Sequence, residues 1–182
     1  MAAPKRTREE WIGAAVQALA EGGVAGVRVE RIARSLGVTK GSFYWHFTDR
    51  NALLAAVVQA WEAGGTHDII KKVDAAGGDP RARLRRLWEV TSGEEGMAAE
   101  LALRDWARRD TEVAAQVQRV DDTRMAYVRA LFGDLFPEAD DIEARAMLLY
   151  SLLIGNYFIG ARHGRRGRRR VLTEAVELLM AE

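Results

Sequence analysis

Apolar residues recur along this chain at spacings of three and four, and no run alternates in the way a half-buried strand would. The pattern predicts an all-α protein of about nine helices. The first begins at Thr7, which stands at capping-box spacing from Glu10; Ile12, Ala15, Val16 and Leu19 form its apolar stripe, and Gly22 and Gly23 end it. A short second helix runs from about Val29 to Leu36, with Ile32, Ala33 and Leu36 inward and Gly37 as the turn. A third follows Thr39 and carries Phe43 and Phe47 four apart, and a fourth, capped by Thr48 or Asp49, turns Leu53, Leu54, Val57, Val58 and Trp61 inward.

Gly64 and Gly65 break the pattern, and the stretch up to Pro80 is weakly patterned, with Gly77 and Gly78 in a loop. This places a boundary between a unit of residues 1–63 and one of residues 64–182. Asp79 and Pro80 make a cap followed by proline at the first helical position, opening a fifth helix with Leu84, Leu87, Trp88 and Thr91 on one face. A sixth is expected from Gly96 to Arg109, a long seventh from Asp110 or Thr111 to Pro137, an eighth from Asp141 to about His163, and a ninth from about Arg169 onward.

Composition narrows the functions open to such a bundle. With 182 residues, 48% of them apolar, the chain can bury a substantial core. It has no cysteine, which removes disulfides, thiolate metal sites and a cysteine nucleophile and fits a cytoplasmic protein. The charged start MAAPKRTREE does not read as an export signal. The longest uncharged run, residues 146–161, falls short of the roughly 20 residues of a spanning helix, so it is expected to be a buried helix and no membrane partner is expected. The net charge is only +1, but residues 1–50 hold eight basic side chains against five acidic ones. A basic end on a mildly acidic body suits contact with nucleic acid. The three histidines, His46, His67 and His163, are far apart in sequence, and no nucleophile–base or carboxylate pair stands at useful spacing. No catalytic residue, metal or cofactor is expected.

The informative stretch is RIARSLGVTKGSFYWHFTDR, Arg31 to Arg50: short helix, glycine turn, second helix, the arrangement that lays one helix in the major groove. Ala33 is small where the helices cross, Thr39 is placed to cap the second helix, and Gly41 keeps its first turn bare. With Phe43 and Phe47 inward, helical geometry sends Lys40, Tyr44 and part of Trp45 and His46 outward. Hydroxyl, imidazole and ammonium donors suit phosphate oxygens, while lysine and threonine reach base edges.

Gly37, Val38, Thr39, Gly41, Tyr44, His46 and Phe47 match a glycine-valine turn, a small polar residue, a glycine and an aromatic-histidine-phenylalanine ending. In this the chain resembles the tetracycline-repressor (TetR) family of bacterial regulators over residues 7 to about 61. The resemblance implies base or groove contacts from Thr39, Lys40, Ser42 and Trp45, and phosphate contacts from Tyr44 and His46. Arg50 stands where the family usually has lysine and keeps the charge. Arg28 departs from the family's serine or threonine cap, reaching phosphate without capping in the same way. The implied protein is a ligand-responsive, sequence-specific transcriptional regulator, by family default a repressor released from double-stranded operator DNA by a small molecule. Its fourth helix joins the DNA-binding unit to a C-terminal ligand-binding and dimerisation unit.

In that second unit Trp88, Trp106, Tyr127, Tyr150, Asn156 and Tyr157 are candidates for lining an effector site, and they are equally suited to core packing. Asn156, inside SLLIGNYFIG, needs a partner helix or a bound molecule if buried. The eighth and ninth predicted helices are more apolar than a monomer requires, which predicts a homodimer built there as a four-helix bundle, as the family also does. The GRRGRRR run, Gly164 to Arg170, reads as a solvated loop complementing the C-terminal dipole of the eighth helix. Competing readings are a ligand-independent DNA-binding protein and a small helical enzyme.

Overall fold

A computed structural model describes residues 6–93 and 96–181, and every regular element among them is helical. Helix α1 (Arg8–Gly26) opens with the expected capping box: the Thr7 hydroxyl accepts from the Glu10 amide at 3.2 Å and the Glu10 carboxylate from the Thr7 amide at 2.7 Å. Gly22 and Gly23 interrupt it rather than end it, Gly23 taking φ +60°, and one further turn carries the chain to α2 (Val29–Ser35). Helix α3 (Lys40–Phe43) is a single turn. Helix α4 (Arg50–Glu62) is capped by Asp49, whose carboxylate accepts from the Ala52 amide at 2.8 Å, and passes directly into a π-helical turn, Ala63–His67.

The weakly patterned stretch holds a helix not expected, α5 (Asp68–Ala75), with Val73 buried. Then come α6 (Pro80–Thr91), capped by Asp79 onto the Ala82 amide at 2.7 Å, α7 (Met97–Ala107), α8 (Thr111–Leu135), α9 (Ile142–Gly155) and α10 (Arg168–Leu179). Helix α9 stops well before His163. The physical reason is Arg168, whose guanidinium gathers carbonyl oxygens from beyond the end of α9: Asn156 at 2.6 Å, Ala161 at 3.1 Å, and Ile159. Carbonyls held by an arginine are lost to further helical turns. Arg168 thus supplies the charge expected at this helix end, but Arg168–Arg170 form the first turn of α10 rather than a loop.

The chain forms two compact units, one of Met1–His67 with Glu94–Val120 and one of Asp68–Gly93 with Asp121–Glu182. The core of the first contains Trp11, Leu19, Ile32, Phe43, Leu53 and Val57 from the four N-terminal helices, all buried. Leu103 of α7 and Val113, Val117 and Val120 of α8 belong to the same core. Trp11 meets Phe43 edge-on, ring centroids 5.3 Å apart, and Phe43 stacks on Phe47 at 5.4 Å.

The second unit packs Leu84 and Trp88 of α6, Phe132 of α8, Leu149 of α9 and Val176 of α10 around one centre. Arg85 grips both oxygens of Glu177 at 2.6 Å, tying α6 to α10. Arg145 of α9 caps the end of α10 through the carbonyls of Leu179 at 2.7 Å and Ala181 at 2.8 Å. Met147 and Leu148 of α9, Leu178 of α10, and Phe158 and Ile159 just after α9 stay exposed.

Candidate nucleic-acid interface

The turn between α2 and α3 is built by backbone. Gly37 takes φ +70°, where a side chain is strained, and the Val38 amide returns to the Ala33 carbonyl at 2.9 Å. Buried Ala33 leaves room for this crossing. After its one turn α3 tightens, the His46 and Phe47 amides both reaching the Phe43 carbonyl, at 2.9 and 3.1 Å. Phe43 and Phe47 are thereby fixed in the core, while Tyr44 and Trp45 are left 57% and 75% exposed.

Thr39 is exposed and makes no side-chain cap, contrary to the expectation; the Ser42 hydroxyl and amide instead return to the Thr39 carbonyl, at 2.8 and 3.1 Å. A one-turn helix has few orphan amides, and here Ser42 closes it from inside. Gly41 is exposed, and a Cβ added there would meet only the Thr39 hydroxyl, at 3.6 Å. Lys40 is exposed and ion-paired across the turn to Glu30 of α2 at 2.5 Å. That hydrogen bond holds the Glu30 carboxyl below its ordinary range and raises the Lys40 ammonium above its own. Glu30 was not among the expected site residues. Ten positions and a turn separate it from Lys40, so no short-range spacing pointed to it.

Three expected phosphate groups are engaged internally. The half-buried His46 places Nε2 2.8 Å from the Arg6 carbonyl. Arg28 is exposed but folds its Nε onto the Ala25 carbonyl at 3.2 Å, without a side-chain cap on α2. Arg50 turns inward rather than out, donating from Nε to the Val27 carbonyl at 2.7 Å and from Nη2 to that of Val24. The carbonyls where α1 ends attract the guanidinium, so Arg50 ties the start of α4 to the turn before α2.

The six effector candidates do not form one group. Trp106 belongs to the first unit, where its indole donates to Asp110 at 3.1 Å beside the capped start of α8. Trp88 is buried in the core of the second unit. The Tyr127 hydroxyl donates to Asp74 at 2.6 Å; partial burial and that carboxylate push it up to about 12. Tyr150 donates to Asp121 at 2.6 Å and accepts from Arg124 at 3.2 Å, and Tyr157 donates to the Gly93 carbonyl at 3.1 Å. Asn156 is half-buried, and its amide oxygen accepts from Arg168, the first residue of α10, at 3.0 Å, so a neighbouring helix supplies the partner it needs. Among the described residues no cluster of three His, Cys, Asp or Glu could hold a metal, and no helix is long and apolar enough to cross a membrane.

Residues 12–57, which include the whole α2–turn–α3 device, match the family described as "Bacterial regulatory proteins, tetR family". The "HTH-type transcriptional regulator BetI" of Ectopseudomonas mendocina is 30% identical over 163 residues, covering 86% of this chain and 83% of that protein. The chain belongs to the tetR family of bacterial transcriptional regulators. Within the tetR family, the "Uncharacterized HTH-type transcriptional regulator TtgW" of Pseudomonas putida is 41% identical, but over 54 residues that make up 30% of this chain and 40% of the relative. The tetR-family fold extends further: AibR, solved "in complex with isovaleryl coenzyme A and operator DNA", superposes with a TM-score of 0.70 over 95% of this chain and 97% of its own, at 18% identity.

Proposed function

We propose that the chain acts as a homodimer whose two α3 helices enter successive major grooves of a pseudo-palindromic operator, about 34 to 36 Å apart. In this reading residues 1–63 read DNA, residues 64–182 bind a small-molecule effector and dimerise through α9 and α10, and the protein works in the cytoplasm without a cofactor or metal. Binding of the effector releases the DNA, which requires that the effector prefer the DNA-incompetent state.

The observation that carries the reading is the split of one short segment into Phe43 and Phe47, sealed in the core, and Tyr44, Trp45 and Lys40, laid out on the surface. Large aromatics at such exposure suit a groove better than solvent. Gly41 adds to it: the free fold leaves space for a side chain there, so its bareness serves a partner that approaches the backbone. Thr39, Lys40, Ser42 and Trp45 then contact bases or groove walls, and Tyr44 contacts phosphate. His46, Arg28 and Arg50 reach phosphate only by exchanging their internal carbonyls for it.

Duplexes captured by the purified protein from a randomised pool supply the test. Tyr44→Ala with His46→Ala is expected to weaken binding to selected and unselected duplex alike, because contacts to phosphate carry no sequence information. Unchanged affinity across a salt titration removes both residues from the interface. The internal partners of the Tyr127, Tyr150, Tyr157 and Asn156 polar groups favour a second reading, a regulator that needs no ligand. In that case the DNA-binding result is the same, and no metabolite fraction of the host shifts the affinity.

A further inference from the structure

Among the described residues of the first unit, Glu100 is the one charged side chain that is buried, at 5% exposure. It stands on α7, and its two oxygens are divided. Oε2 accepts the indole N–H of Trp61 at 2.7 Å, and Oε1 accepts Nε and Nη2 of Arg104, one turn further along α7, each at 2.8 Å. Trp61 lies in the last turn of α4, itself 8% exposed, just before the π-helical turn Ala63–His67, in which Thr66 is also buried.

A buried carboxylate is an expensive way to gain stability, because desolvation takes back most of the attraction. What it supplies is direction. In a low-dielectric core the indole N–H and the carboxylate oxygen must meet within a few tenths of an ångström, and a displaced Trp61 forfeits this bond where water does not readily replace it. Arg104 pairs with the carboxylate and holds its orientation. Helix α7 packs along α1 and contributes Leu103 to the same core as Trp11 and Phe43, so Glu100 is fixed relative to the helices that hold α3. At its other end α4 is held by the Asp49 cap and by Arg50 on the Val24 and Val27 carbonyls. The π turn that follows has a wider hydrogen-bonded ring than an α turn and does not fix the helix end by itself.

We propose that Glu100 is a positioning residue for DNA binding: by holding Trp61 it sets the angle of α4, a lever of about 20 Å, and so keeps the two DNA-reading units of a dimer at the spacing of their half-sites. This rests on the dimeric, DNA-reading function proposed above. A contact that sets spacing acts on binding to two half-sites together and leaves binding to one unchanged.

The experiment uses the full chain, a two-half-site duplex selected by the wild-type protein, and the same duplex with one half-site scrambled. Trp61→Phe keeps a ring in the core and removes only the donor. It is expected to lower affinity for the two-half-site duplex about tenfold, equivalent to about 1.4 kcal/mol, with affinity for the single half-site and dimer mass unchanged and the melting temperature lowered by no more than the loss of one buried hydrogen bond. Glu100→Gln retains an acceptor within reach of the indole and relaxes the ion pair, and it is expected to lose less than Trp61→Phe. Equal binding of both duplexes by Trp61→Phe and wild type overturns the inference and leaves the DNA-reading function standing. A parallel loss on both duplexes together with a lower melting temperature also overturns it, since Trp61 then matters only for folding. A larger loss from Glu100→Gln than from Trp61→Phe rejects the indole bond as the fixing contact. Failure of the wild type to select any duplex defeats the DNA-reading function, and the inference with it.

Discussion

At the scale of single residues, the reading face shows how one acidic side chain tempers a basic one. Lys40 and Glu30 are both more than half exposed, so their pair adds little to stability. In the proposed function its effect is on what Lys40 offers to DNA: in the free protein the ammonium is occupied, and a base edge or a phosphate of the groove wall must displace a carboxylate to hold it. Glu30→Gln is expected to raise affinity for random duplex several-fold at low salt and to steepen the salt dependence by about 0.9 for each phosphate newly engaged. Electrophoretic titration on an unselected fragment measures this, and an unchanged slope means that Lys40 does not contact phosphate. Because its hydrogen bond to Lys40 holds Glu30 below the ordinary carboxylate range, the pair is complete at neutral pH and is lost only as pH falls through that lowered value. Tyr127 gives the opposite sign at the alkaline end. Burial and Asp74 favour its neutral form, so its contribution is full below its ordinary value of 10.0 and disappears as pH rises through about 12. Absorbance of the ionised phenol should show a tyrosine step near pH 12, and Tyr127→Phe should abolish that step.

At the scale of elements, the helix caps separate residues that hold the fold from residues kept for a partner. Asp79 accepts the Ala82 amide at 2.7 Å, and its replacement by alanine is expected to cost about 1 kcal/mol of stability. Thr39, of equal capping type, caps nothing here, so Thr39→Ala should leave the melting temperature where it was while weakening selected duplex. Thermal unfolding of the two variants side by side checks this; destabilisation by Thr39→Ala would falsify its assignment to DNA. The contrast also shows what one sequence makes legible. Strictly periodic helices with a cap, such as those opened by Thr7, Asp49 and Asp79, were readable because the signal is local. Helix α5 escaped because it is barely two turns long between glycine pairs, although Ile69, Ile70 and Val73 carry helical spacing. The end of α9 escaped for another reason: its apolar pattern continues to Ile159, and what halts the helix is Arg168, twelve residues beyond Asn156. On the interface, the burial of Phe43 and Phe47 and the exposure of Tyr44 and Trp45 followed from helical geometry. The inward turn of Arg50 and the partner of Lys40 did not, because both depend on groups distant in sequence.

At the scale of the whole molecule, the exposed apolar side chains bear on the proposed dimer. Met147, Leu148 and Leu178 are each more than half exposed on the two helices proposed for the dimer, and covering such an apolar face is favourable. Leu148→Arg with Leu178→Arg alters positions 56% and 74% exposed in the single chain, so the fold of each protomer should persist, with an unchanged helical signal. Sedimentation velocity should show the 20.2 kDa monomer in place of the dimer. Joining two half-site readers raises overall affinity by about 10²- to 10⁴-fold without any new contact, so the double variant should lose a factor of that order on a two-half-site duplex and nothing on a single half-site. Trp61→Phe is expected to share that selective loss while remaining dimeric, which separates faulty spacing from absent pairing. A double variant that still sediments as a dimer assigns the second copy to another face, and with it moves the geometry by which two α3 helices would meet one duplex.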